Sequence, residues 1–338
     1  MSARFLGSLI VLMILTSCTP NPLDIDISNV KINPVSVHRL ERNLNNIQTD
    51  NLKGESDKLL NEYGLFFEHY IMNLLKVNGT KDSLYAEALQ SFLKDKDISG
   101  SYKQTQQVFT DDFFRAFEPE LNDCVKRFKY HFPKRNVPNK CVTCISGWNY
   151  AFAYTDSTLV TALDMYLGDT CVYYQMLQLP AYRTRFMNKN YLLPDLLRGW
   201  LITEFDNAEP TNTLAYHTIF YGRIYYALNA LMPNIQDSVM LNYTDAQMQY
   251  CKKYEKNLWS YFAEKNRLYE TNIKTIQELT GDGPFTGAIS KECPPRIAMW
   301  VGLQIVRSYM KNNKEATLEQ LMNEKDAQKI LSRSKYRP

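Results

Sequence analysis

Apolar positions in this chain fall mostly into the i, i+3, i+4, i+7 spacing of amphipathic helices, with one strand-like region near the middle. From Val35 to Leu44 a short extended stretch leads into a helix. A helix capped by Ser83 runs to Lys94, and residues 95–107 (DKDISGSYKQTQQ) read as a polar break. Pro119 to Phe132 carries apolar residues at Leu121, Cys124, Val125 and Phe128, and Pro133 stops that helix. Three strands follow, Lys140 to Ser146, Tyr150 to Thr155 and Ser157 to Leu163, with Gly147 and Asp156 at the turns. Their order along the chain predicts a small antiparallel meander whose lone edge needs covering.

The pattern is helical from there to the end. Pro194 stands in the first turn of a helix reaching Phe205. Thr213 to Met232 is apolar nearly all round, the mark of a buried central helix. Thr244 with Gln247 forms a capping box opening a helix to about Lys265. Pro295 opens another, with Ile297, Trp300, Val301 and Ile305 on one face, and Thr317 with Gln320 caps the last. The tail from Lys329 reads as a basic, solvated end. No repeat period is visible. The fold class is predominantly α (α+β), one α-rich domain over residues 35–338.

The first residues carry a different message. Arg4 precedes an unbroken apolar run from Leu9 to Leu15, and Leu15-Thr16-Ser17-Cys18 has the form of a bacterial lipobox. The run is too short for the roughly 20 apolar residues a membrane span requires. Residues 1–17 are therefore expected to be a lipoprotein signal peptide, with covalent lipid on Cys18 and residues 18–34 as a tether. This predicts a protein anchored in the bacterial cell envelope. The lack of an acidic run after Cys18 favours the outer membrane with the domain facing the periplasm.

Composition narrows the remaining choices. Hydrophobic residues make up 45% and charged residues 22%, enough to bury a sizeable core. The net charge is +3 with no dense basic block, so nucleic acid is not an expected partner. The six cysteines after Cys18 include Cys141 and Cys144, a lone C-x-x-C in a β-branched setting. A buried strand is the expected reading, with a structural disulfide or redox or metal chemistry as alternatives.

The chain has four histidines, His38, His69, His131 and His217, and no two stand four apart as in H-E-x-x-H. His69 reads as a helix residue. His131 ends a helix where an imidazolium would suit the dipole, and His217 lies in the buried helix. Neither G-x-S-x-G nor a phosphate-binding glycine loop is present. Asp195, Arg198 and Glu204 have the spacing of solvated ion pairs along one helix. No catalytic, metal or cofactor residue is assigned.

Several segments together resemble a known family. They are Val37-His-Arg-Leu-Glu-Arg42, Tyr130-His-Phe-Pro133, Val160-Thr-Ala-Leu-Asp-Met-Tyr-Leu-Gly168, Leu193-Pro-Asp195, Ile219-Phe-Tyr-Gly-Arg-Ile-Tyr225, Leu258-Trp-Ser-Tyr-Phe262, and the stretch from Pro294 to Met310. They are similar to the gliding-motility lipoprotein GldB family of Bacteroidetes, over about Val35 to Leu321. The resemblance implies an envelope lipoprotein tied to gliding and its associated secretion machinery.

The same layout is similar to predicted zinc metallopeptidases of gluzincin type. There Leu-Asp-x-Tyr-Leu-Gly precedes an H-E-x-x-H helix, and a Glu before a Gly on the next helix completes the site. Here the Pro194–Phe205 helix has no His, and Tyr221 precedes Gly222. The implied protein is a non-catalytic binding or assembly factor on a peptidase-like scaffold without its metal. A groove marked by Arg198, His217 and Tyr221 would take an envelope protein partner, with an extended polypeptide adding a strand to the small sheet as one form of that partner. Two alternatives stand beside it. One is a hydrolase with an unrecognised site around His217, Tyr221 or Glu204. The other is a small-ligand carrier lined by the Tyr216–Tyr226 helix.

Overall fold

The computed structural model describes residues 21–48, 51–155, 157–206 and 213–338. Cys18 and the signal peptide expected over 1–17 lie outside the described residues. The chain runs β1 (Ser36–Arg39), α1 (Leu40–Asn45), α2 (Leu52–Tyr63), α3 (Leu65–Leu75), α4 (Tyr85–Lys94), α5 (Lys96–Val108) and α6 (Asp111–His131). Strands β2 (Lys140–Cys144), β3 (Phe152–Thr155) and β4 (Thr158–Ala162) complete the sheet. Short helices α7 (Val172–Met176) and α8 (Ala181–Thr184) lead to the long α9 (Lys189–Phe205) and α10 (Leu214–Leu231). Then come α11 (Asp237–Leu241), α12 (Asp245–Lys253), α13 (Glu255–Ala263) and α14 (Ile273–Thr280). Helices α15 (Ile297–Asn312), α16 (Leu318–Asn323) and α17 (Ala327–Ser334) close the fold. No helix among the described residues is long and apolar enough to cross a membrane.

The mainly helical class holds, but the sheet is mixed rather than an antiparallel meander. Its order is β1-β2-β4-β3, with β1 parallel to β2, β2 parallel to β4, and only β3 antiparallel to β4. Burial explains the order. Every residue of β4 is buried, as a central strand requires, whereas β3 is half-buried along its whole length and takes the edge. The extended stretch before α1 supplies the other edge, with Ser36 opposite Lys140.

Side chains alternate across the sheet with period two. Cys141 and Leu159 enter a large core shared with α6, α9, α10 and α15, while Val142, Cys144, Val160 and Ala162 enter a smaller one with α1–α4. The two thiols of the C-x-x-C thus point into different cores, because residues i and i+3 of a strand face opposite sides. They are free, buried thiols. Burial pushes Cys141 up to about 12 and Cys144 well above its usual value, the opposite of what thiolate chemistry needs.

Several helix boundaries differ from the sequence expectation. Residues 95–107 are mostly helix α5, capped by Asp95, whose carboxylate accepts from the Asp97 and Ile98 N–H groups. Its composition hides it because few of its positions are apolar; Ser101 and Thr105 are the buried ones. Helix α6 starts at Asp111 under a Thr110 cap, with Pro119 inside it. Phe109, Phe113, Phe114 and Phe117 pack on one another along its first turns and offset the cost of that proline. Helix α9 likewise starts at Lys189 under Asn188, so Pro194 is interior. The helix expected from Thr244 breaks at Tyr254 into α12 and α13, though the capping box is present. The tail is a docked helix rather than a solvated end, with Ile330 buried and Tyr336 Oη donating to Glu255 Oε1 at 2.7 Å.

The centre of the large core is the crossing of α10 and α15. A Cβ at Gly302 would collide with the Thr218 carbonyl, and one at Gly222 with the Gly302 carbonyl. Only glycine lets the two backbones approach this closely. Next to Gly222, the buried Arg223 turns to the end of α16, where its Nη1 donates to the Met322 carbonyl at 3.2 Å and to that of Glu324.

Candidate functional site

A cleft of about 330 Å³ opens where the sheet's connecting loops meet the start of α9. Its position follows from the Leu163-Asp-Met-Tyr-Leu-Gly168 segment directly after β4. The buried Asp164 carboxylate accepts from the Ser146 N–H at 3.0 Å and the Trp148 N–H at 2.8 Å, bending the loop after β2 into the cleft. Burial pushes Asp164 up to about 6, although these N–H donors pull the other way. Trp148 is held in a left-handed conformation (φ +58°) and packs on Tyr173, with ring centroids 5.0 Å apart. Tyr174 Oη donates to the Asp164 carbonyl at 2.8 Å and accepts the Leu167 N–H at 2.9 Å.

Helix α9 brings the charges. Arg198 Nη2 donates to Asp195 Oδ1 at 2.7 Å, and the same carboxylate accepts from Tyr166 Oη at 3.2 Å. The pair is largely buried, not solvated as the sequence suggests. Burial opposes the charge on Arg198, but the adjacent Asp195 carboxylate more than offsets it and raises the guanidinium above its usual value. Glu204, two turns on, bonds elsewhere, to Arg135 Nη1 at 2.7 Å. Asn242, left-handed at the end of α11, donates weakly to Asp195 Oδ1 at 3.4 Å.

Two more arginines arrive from outside α9, and a third stands at the rim. Arg296 is left-handed (φ +55°) just before α15, and its Nη2 donates to the Leu241 carbonyl at 3.1 Å. Arg183 pairs with Asp282 at 3.1 Å, and Asp282 lies 3.9 Å from Arg296 Nε. Arg185 is exposed at the rim. The charged lining is therefore Arg183, Arg185, Arg198 and Arg296 against Asp195 and Asp282, with apolar walls from Leu179, Phe186 and Met187. Each aspartate is already engaged by an arginine. Two lining N–H donors, Trp148 Nε1 and Arg296 Nε, are buried with no acceptor.

Of the three groove residues expected from the sequence, Arg198 lines this cleft, and His217 and Tyr221 do not. Both lie on α10, where burial lowers His217 and raises Tyr221. The tyrosines at 216, 225 and 226 do not line it either. The remaining histidines are scattered. His38 bonds Glu62 at 3.0 Å, His69 is exposed on α3, and His131 ends α6. His131 is not the dipole-stabilised imidazolium expected: burial, and then Arg127, lower it to about 4, leaving it neutral. No group of three or more His, Cys, Asp or Glu able to hold a metal ion occurs among the described residues.

Sequence reading missed Trp148, Asp164, Tyr166, Arg183, Arg185 and Arg296. The signal for Asp164 was its place just after a buried strand, where an acid must have backbone donors to be tolerated. The arginines gave no signal, since their convergence depends on loops far apart in the chain.

A family model described as gliding motility protein GldB matches residues 20–338. No curated protein and no solved structure matches the chain at a significant level. The chain belongs to the GldB gliding motility family.

Proposed function

We propose that this member of the family is a lipid-anchored, non-catalytic binding or assembly factor of the envelope, built on a peptidase-like scaffold that holds no catalytic metal. It hangs from the outer membrane through lipid on Cys18 and faces the periplasm, where the gliding and associated secretion machinery supplies its protein partner. The observation that carries this reading is the donor set of the cleft. Among the described residues, four arginines and two arginine-bound aspartates line it, with no imidazole or thiol. A catalytic zinc site needs three protein donors and an open water position, and guanidinium groups repel a cation. Such a lining recognises negative charge through forked N–H donors.

Elemental analysis of the full chain, purified without chelator, tests the reading. The expected zinc content is far below one equivalent, and peptide hydrolysis stays at background. One tightly held zinc per chain overturns it. The anchor has its own test: Cys18→Ala should move the protein from the membrane to the soluble fraction, since acyl chains supply its hold on the bilayer. Retention in the membrane fraction would contradict the anchor.

A further inference from the structure

We propose that the Arg198 cleft binds a small organic oxyanion, a carboxylate or phosphate ester carried on an apolar body. This deepens the binding reading above and rests on it only for the idea that the cleft serves recognition.

Four observations point the same way. First, the lining carries four guanidinium groups against two carboxylates, and Asp195 and Asp282 are both committed to arginines. Second, positive charge remains to be matched. The Arg185 side chain, exposed at the rim, has no carboxylate within ion-pair distance among the described residues. An excess of guanidinium over carboxylate groups in a partly enclosed site favours an oxyanion. Third, part of the lining is apolar, from Leu179, Phe186 and Met187, so an inorganic ion alone would leave it uncovered. Fourth, about 330 Å³ sits at the small end of the range for ligand pockets, which admits a compact molecule or a single side chain.

The site is also held in place. Trp148, Asn242 and Arg296 all adopt left-handed backbone conformations. Asp164 pins Trp148, and the Leu241 and Asn242 carbonyls pin Arg296. Non-glycine residues in that region cost of order 1 kcal/mol each, and such strain concentrates at binding sites. The donors are thus set before a ligand arrives, which lowers the ordering cost of binding.

The test is a titration of the full chain followed by the ¹⁵N–¹H signal of the Trp148 indole, assigned through Trp148→Phe. The probes are phenyl phosphate, 4-phenylbutyrate, the uncharged 4-phenylbutyramide and inorganic phosphate. The expected result is a saturable shift with phenyl phosphate or 4-phenylbutyrate, and the tighter of the two says whether phosphate or carboxylate is the preferred head. The amide and inorganic phosphate should bind at least tenfold more weakly, and raised salt should weaken the acids. Arg185→Glu, at the exposed rim, should cost at least tenfold in affinity with an unchanged melting temperature. Arg296→Gln should do the same if it folds; Arg185→Glu decides the matter alone if it does not. No shift with either acid, equal binding of the amide, or an Arg185→Glu protein that binds as the parent does overturns the proposal. Those outcomes leave the non-catalytic reading standing, whereas a tight zinc removes that reading whatever the anions do.

Discussion

The α10–α15 crossing and the Arg198 cleft show two opposite uses of the same residue types. At the crossing, Gly222 and Gly302 remove every atom that would separate the helices, and Arg223 spends its donors on carbonyl oxygens near the end of α16. At the cleft, left-handed Trp148, Asn242 and Arg296 aim their side chains into the lining, and four arginines converge on two aspartates. The first region is closed and carries stability. The second gathers more positive than negative charge in an open cleft, which costs stability. Gly222 of α10 is absorbed into packing, while α9 carries Asp195 and Arg198 to the cleft.

Substitutions separate the two regions by size of effect. Gly302→Leu should be the most damaging, at more than about 4 kcal/mol, because the side chain meets backbone that cannot move aside. Thermal unfolding would show a collapsed or absent transition; a melting temperature near that of the parent would break the picture of a closed crossing. Asp195→Ala comes next, at about 3 kcal/mol, since it strands a buried guanidinium. Urea denaturation measures it, and a change within error would mean Arg198 is solvated.

His131 gives a smaller effect with a defined pH window. Its folded value, lowered to about 4, lies below the ordinary 6.5. The unfolded chain therefore takes up the proton first, and stability present above pH 6.5 is lost as pH falls towards 4. Asp164, raised to about 6, acts in the other direction, giving stability below pH 3.8 that is lost as pH rises through 6. His131→Leu should remove the first slope and leave the second, a change on the order of 1–2 kcal/mol in the pH 4 to 6.5 difference. An unchanged pH profile would show that His131 binds its proton equally in the folded and unfolded chain. Smallest of all is Arg183→Ala, whose exposed pair with Asp282 should be worth less than about 0.5 kcal/mol of stability. A larger loss by denaturant titration would mean that the rim is part of the closed body.

What could be read from sequence was local. The capping boxes at Thr244 and Thr317, the buried α10 and the three mid-chain strands all follow from spacing a few residues long. Strand order did not, because whether β3 or β4 lies beside β2 depends on which is covered on both faces. Helix α5 was hidden because its buried positions are Ser101 and Thr105, which carry no apolar signature. Of the cleft, Arg198 and Asp195 were visible as a pair three apart, but their burial was not. Arg183 and Arg296 come from loops more than a hundred residues apart, and Asp282 joins them only in the folded chain.

The cleft's preference for anions over cations is most directly tested by melting temperature, titrated in parallel with zinc and with phenyl phosphate. A ligand that binds only the native state raises the melting temperature in proportion to the logarithm of its concentration over Kd. The account predicts a rise with phenyl phosphate that Arg185→Glu abolishes, and no rise with zinc. A rise with zinc that grows with its concentration, and none with the anion, would contradict it.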